Sequence, residues 1–317
     1  MVRSRRRFLT ESGLLLTASV AGCRPASAPA VLTVSQRSVR QLLSGVATSD
    51  GAGVKLTRVI GQPALRNLDP FLMLDRFHSD DPDAYIQGFP DHPHRGFETV
   101  TVMLAGQMRH RDSHGNHGLI TGGGAQWMTA GRGIVHSEMP EQDHGLMSGF
   151  QLWVNLPAKE KMCPQFYQDL PPDRLAEERL SPSGSLLRVI AGDVNGLSGP
   201  VRERATAPIL LTALLEDERP FELDTPEAHT AFAFVSSGEV EIGPEHAPTA
   251  VGAGAIALLG PGDRLRVRAR KPGSQLLLAA ARPLGEPIVQ RGPFVMNTED
   301  EIRRAIADYR AGVLDRA

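Results

Sequence analysis

Asp91 to Val100 reads DHPHRGFETV, and Gly131 to Pro140 reads GRGIVHSEMP. The first stretch places His92 and His94 two residues apart, and the second does the same with His136 and Glu138. Successive side chains of an extended strand point to opposite faces, so residues at i and i+2 share one. Each pair therefore aims two donors at a single point. Two such strands packed across a narrow β-barrel supply three imidazoles and one carboxylate, a donor set suited to one divalent first-row transition metal. A lone strand histidine is ordinarily a packed core or surface residue. Two H-x-[H/E] pairs, each beside glycine or proline turns and β-branched runs, are harder to account for in that way.

The neighbouring residues read as strands. Thr99, Val100, Thr101 and Val102 form a β-branched run closed by Ala105-Gly106, which predicts a buried strand rather than a helix. If no bulge intervenes, parity puts His92, His94, Glu98, Val100 and Val102 on one face, so Glu98 is a candidate neighbour of the metal. His110, His114 and His117 crowd the turn MRHRDSHGNHG, where Gly115 and Gly118 mark a hairpin end. They are read as solvated surface histidines, not a second metal site. The Gly122-Gly123-Gly124 run lacks the spacing of a phosphate loop and reads as a turn.

The segments HPHRGFETVTVMLAG, MRHRDSHGN, QWMTAGRGIVHSEMPE, GFQLWVNLPAKEKM and EPIVQRGPFVMNTEDEIRRAIADYRAG resemble the pirin family of bicupins, over about Val39 to Gly312. The resemblance implies an all-β fold of two tandem cupin barrels, each a double-stranded β-helix of the jelly-roll type. It implies a metal held by His92, His94, His136 and Glu138, most often iron(II), with Mn, Ni, Co, Cu and Zn as alternatives. It also implies a quercetinase-like dioxygenase that takes a small aromatic substrate and O₂, beside non-enzymatic regulatory roles in other members. Glu138 then doubles as the candidate catalytic base, since it is the one carboxylate among the four donors. Glu98 occupies the carboxylate position of the general cupin first motif, whereas the pirin pattern uses Glu138. Thr129 stands where the general second motif has proline, in agreement with the pirin version.

Around this centre the chain divides as follows. Residues 23–38 are small, proline-bearing and aperiodic, hence a tether. Residues 39–170 form the metal-binding barrel, and the polar, proline-bounded residues 171–185 a linker. Residues 186–292 repeat the order of strand, glycine turn and strand without H-x-H or H-x-E, as a metal-free second barrel. In residues 293–317, Thr298 and Glu301 fit a capping box, and Ile302, Ile306, Tyr309 and Val313 follow a helical period ending near Gly312.

Composition and the N-terminus bound what the protein does. Lys plus Arg number 34 against 36 Asp plus Glu, a formal charge of -2, so no field draws the chain onto nucleic acid. Arg3 and Arg5 to Arg7, followed by Phe8, Leu9 and the apolar run Gly13–Gly22, have the layout of a secretory signal over residues 1–22. SRRRFL resembles a twin-arginine signal, and VAGC a lipobox that would leave lipid on Cys23. The alternative is an ordinary cut near Ala28 or Ala30. Either way the expected location is the periplasm, with membrane contact only through an N-terminal lipid, and the expected state is a monomer. Loss or lipidation of Cys23 leaves Cys163 without an intrachain disulfide partner.

Overall fold

Alternating β-branched and aromatic residues make strands along most of the chain, and the computed structural model describes residues 34–316. The first half contains β1 (Val39–Ser44), β2 (Val46–Asp50), β3 (Val54–Ile60), β4 (Phe71–Ser79), β5 (Phe89–His94) and β6 (Phe97–Ala105). It continues with β7 (Gln107–Asp112), β8 (His117–Thr121), β9 (Ala125–Thr129), β10 (Ile134–Pro140), β11 (Met147–Asn155) and β12 (Phe166–Leu170). A seven-stranded sheet in the order β12-β9-β6-β11-β4-β3-β2 and a four-stranded sheet in the order β5-β10-β7-β8 make the first barrel. The second half repeats this pairing of a seven-stranded with a four-stranded sheet. The fold is all-β, two tandem cupin barrels with one C-terminal helix, α1 (Glu299–Arg310).

Parity along β11 shows how one strand serves two purposes. Phe150, Leu152 and Val154 belong to a core shared with Phe232, Phe234, Ile256 and Leu277 of the second barrel. Phe71 meets Phe232 edge-on at 5.0 Å between ring centroids, and Phe150 meets Phe234 at 5.9 Å. Gln151 and Trp153, on the other face, line a cavity inside the first barrel. The two seven-stranded sheets thus bury their outer faces on each other, and the inner face of the first is left free for chemistry. In the second barrel Val189, Leu211, Ala233, Val240 and Leu265 belong to its own apolar core.

The chain divides in space differently from its division in sequence. β1, assigned above to the first barrel, pairs with Ala255–Leu259 of the second. Arg37, inside the stretch read as tether, is buried and donates to Thr225 Oγ1 and to the carbonyls of Gly260, Pro226 and His229. A fixed guanidinium with five acceptors, the Glu227 carbonyl included, outweighs the small, proline-rich composition just before it. The stretch read as linker contains the strand Ala176–Arg179, which pairs with Leu186–Ala191 and so edges the second sheet. After the second barrel a short hairpin, Val289–Arg291 with Phe294–Met296, returns to the first, where Phe294 bridges to Arg95.

The capping box at Thr298 and Glu301 is present. Ile302 and Ala305 are buried, whereas Tyr309 and Val313, read above as part of the apolar face, are exposed. Ile306 still packs against the cluster that holds Phe294 and Met296, and the Tyr309 ring meets Phe294 at 6.3 Å between centroids, so the last turn of α1 lies at the edge of the surface it covers.

Candidate metal centre

β5 and β10 run antiparallel, with His92 opposite His136 and His94 opposite Ile134. Donor atoms of His92, His94 and His136 all lie within 4.8 Å of one another. Their ring centroids are 4.3 to 4.9 Å apart. His92 Nδ1 lies 2.8 Å from the Pro90 carbonyl, a bond that holds the ring and leaves Nε2 for the cluster. Burial, reinforced by the neighbouring imidazoles, lowers the pKa of His94 and His136 well below the usual histidine range. Both are neutral at pH 7 and keep a lone pair. His94 Nδ1 and His136 Nε2 are buried without any hydrogen-bond partner. Each orphaned buried atom costs about 1–3 kcal/mol, and a cation accepting an imidazole lone pair relieves it. The donor set therefore fits a transition metal.

Glu138 lines the same cavity, but a bulge between His136 and Glu138 shifts its register against β5. Its Oε1 accepts from Thr101 Oγ1 at 2.7 Å and its Oε2 from Gln151 Nε2 at 2.7 Å. Three of the four expected donors meet at one point, and the fourth is held beside them. The cavity above has a volume of about 610 Å³, within the range that encloses a drug-sized aromatic. Met73, Phe77, Phe89 and Trp153 give it apolar walls.

Glu98 is not part of this centre. Arg95 and Gly96 separate β5 from β6, and Gly96 has φ +90°, so parity does not carry from His94 to Glu98. Glu98 faces the barrel interface with Val100 and Val102, accepts from Thr129 Oγ1 at 2.7 Å and lies 3.7 Å from Arg204. Burial raises its pKa. On the opposite face of β6, Phe97 packs on His94 and Thr101 reaches Glu138.

His114 and His117 are exposed, but His110 is not; only 1% of its surface is accessible. β7 extends to Asp112, with Met108 and His110 inward and Arg109 and Arg111 outward, an alternation visible in MRHRD. His110 pairs across from Glu138, packs on Tyr167 and lies 3.2 Å from Asp169. Thr101 and Gln151, which hold Glu138, and Trp153, which packs on His94, are not among the residues expected to form the site, although Gln151 and Trp153 alternate with apolar neighbours in GFQLWVNLP. Cys23 and the arginines of the signal lie outside the described residues.

Two buried cations brace the turn behind His94. Arg95 donates to the carbonyls of Arg132 and Leu314 and, at 2.7 Å, to Asp308 of α1. Lys161 donates to Gly96 O, Asn155 Oδ1 and Val295 O at 2.7–3.0 Å. The C-terminal hairpin and helix are thereby fastened to the strand that carries two of the histidines.

Comparison with known proteins gives this geometry a family. Residues 53–154 match Pirin, and residues 210–315 match the Pirin C-terminal cupin domain. A Pseudomonas aeruginosa protein provisionally named quercetin 2,3-dioxygenase is 47% identical over 283 residues, spanning 88% of this chain and 98% of its own. The chain belongs to the pirin family. Human pirin is 43% identical over 267 residues, covering 83% of this chain and 88% of the human one. The crystal structure of a quercetin 2,3-dioxygenase from Acinetobacter baumannii superposes with a TM-score of 0.80 at 33% identity, covering 88% of this chain and 98% of that one. The Pirin match contains all three clustered histidines and Glu138.

Proposed function

We propose that this pirin-family protein is a quercetinase-like dioxygenase that uses iron(II) held by His92, His94 and His136, with Glu138 as the fourth donor and as the base. The observation that carries this reading is the three-imidazole cluster, of which His92 and His94 line a cavity with aromatic walls, with an anchored carboxylate in the same wall. A bound first-row metal supplies Lewis acidity and a redox centre at which an enolic substrate and O₂ meet. Everything else falls to the protein's own side chains.

Met73, Phe77, Phe89 and Trp153 take a flat aromatic between them and exclude water. The substrate's acidic hydroxyl gives its proton to Glu138, whose carboxylate is fixed in orientation by Thr101 and Gln151. The resulting anion is electron-rich and adds O₂. Overall one flavonol and one O₂ give the ring-opened ester and one CO. Neutral His94 and His136 hold their positions through packing, His94 against Phe97 and Trp153.

The test is O₂ uptake and CO release by iron-loaded protein given 3-hydroxyflavone or quercetin. Equimolar O₂ consumption and CO formation support the reading. No turnover with full iron occupancy overturns it in favour of a metal- or redox-responsive binding protein. We also propose, from Arg5, Arg6 and Cys23, that the chain is exported to the periplasm and carries lipid on Cys23. Folding before transport would let iron bind before copper competes, since an N/O site otherwise favours copper.

A further inference from the structure

The metal cavity opens beside a second cavity of about 460 Å³, and the two share Arg58, Met73, Gln290 and Gly292 in their walls. Their charge differs. Asp50, Asp75, Asp91 and Glu138 line the metal cavity, whereas no carboxylate lines the second, whose charged groups are Arg58 and Arg66. Asp75 and Asp50 already balance the charge of Arg58, so the uncompensated positive group of the second cavity is Arg66, and Arg58 adds N–H donors beside it.

Arg58 is held as a fixed fork. Its Nε donates to Asp75 Oδ1 at 2.9 Å, and its Nη2 to Asp75 Oδ2 at 2.7 Å and Asp50 Oδ2 at 2.8 Å. Asp75 is buried and cannot swing away. Among the described residues Nη1 has no protein acceptor, so both of its N–H groups are free. Arg66 forms no ion pair with any described acid and is exposed at the far side of the same cavity. A pre-oriented guanidinium loses little freedom on binding, which suits such a group to the paired oxygens of an oxyanion.

We propose that the second cavity is an anion subsite and that the substrate is a hydroxylated aromatic bearing a carboxylate or sulfate ester. Its ring enters the metal cavity, and its charge meets Arg58 Nη1 and Arg66. The assignment rests on the metal cavity being the substrate site. It goes beyond that reading because an uncharged flavonol leaves both arginines unused.

The test uses 3-hydroxyflavone carrying a 4′-carboxamide, a 4′-carboxylate or a 4′-sulfate, with metal-loaded full-length protein. Binding is read from quenching of tryptophan fluorescence, since Trp153 lines the cavity, and oxygen uptake is recorded on the same samples. One or both charged compounds bind about tenfold more tightly than the amide, as a charge-assisted pair allows. Which of them does so separates a carboxylate from a sulfate ester. Arg66→Gln reduces that ratio severalfold, and raising salt tenfold weakens the charged compounds selectively. Equal dissociation constants for all three, or an undiminished ratio in Arg66→Gln, overturn the subsite. Tighter binding of a charged flavone without oxygen uptake supports the subsite and overturns the dioxygenase reading. Failure of all three to bind overturns both.

Discussion

Lys161→Met tests whether the metal strand depends on the tail of the chain. Lys161 is 1% exposed, and its ammonium donates to Gly96 O at 2.8 Å, Asn155 Oδ1 at 2.7 Å and Val295 O at 3.0 Å. Methionine keeps the volume and removes all three donors. Each stranded acceptor costs about 1–3 kcal/mol, offset in part because no ammonium is then desolvated. A net loss of about 3 kcal/mol at pH 7 is expected, in line with breaking other buried charge networks. Urea unfolding measures it. The pH dependence gives a second, independent reading. Burial lowers the Lys161 pKa to about 8, against the pull of Glu286 and Glu301. Between that value and the ordinary lysine value the unfolded chain binds more protons, so the wild type gains stability as pH rises and the variant lacks this gain. The gap should widen by about 2 kcal/mol between pH 7 and about pH 9.5. A difference under about 1 kcal/mol at pH 7, or a gap that narrows with rising pH, refutes the reasoning. Metal content should fall alongside, because Gly96 lies two residues from His94.

Four further outcomes are expected. His94→Ala and His136→Ala each lower metal content at least about tenfold by elemental analysis, since loss of a ligand exceeds the usual effect of changing its hydrogen-bond partner; unchanged occupancy would remove the assignment. Glu98→Gln retains the metal, because that carboxylate faces the other barrel. Its stability relative to wild type improves as pH rises above the ordinary glutamate range, because burial raises the native pKa and the native state binds the extra proton; metal loss in this variant contradicts the placement. Gly96→Ala puts a Cβ 2.0 Å from Val295 O at φ +90°, whereas Gly115→Ala at φ +86° meets nothing within 4 Å. Both carry the backbone strain, so chemical denaturation should show Gly96→Ala worse by about 2 kcal/mol or more, and equal losses would count against the close approach. Finally, changing Arg5 and Arg6 together to Lys should leave precursor in the cytoplasm on fractionation, and undiminished export means a different route.

Much of the centre was legible because its elements are local. Two H-x-[H/E] pairs need only strand parity to become two pairs of donors, and the three imidazoles do gather. Parity failed where the chain left the strand. Gly96 adopts a left-handed conformation between β5 and β6, and the count that carried His94 to Glu98 reversed. His110 was lost to the composition of its turn, although Arg109 and Arg111 on either side already marked it as the inward residue. The bulge after His136, which turns Glu138 toward Thr101 and Gln151, leaves no mark in GRGIVHSEMP.

Sequence by itself determined the strand-rich barrel order, the histidine pairs and the capped terminal helix, since each depends on residues within a turn or two of one another. Tertiary structure alone decided which half owns β1, what fastens the turn behind His94, and where two arginines share a cavity wall. Those arrangements depend on segments far apart in the chain, β1 with Ala255–Leu259, Arg95 with Asp308, Lys161 with Val295, and Arg58 and Arg66 with Gln290, and local pattern carries no information about which distant carbonyl or carboxylate will complete a buried charge.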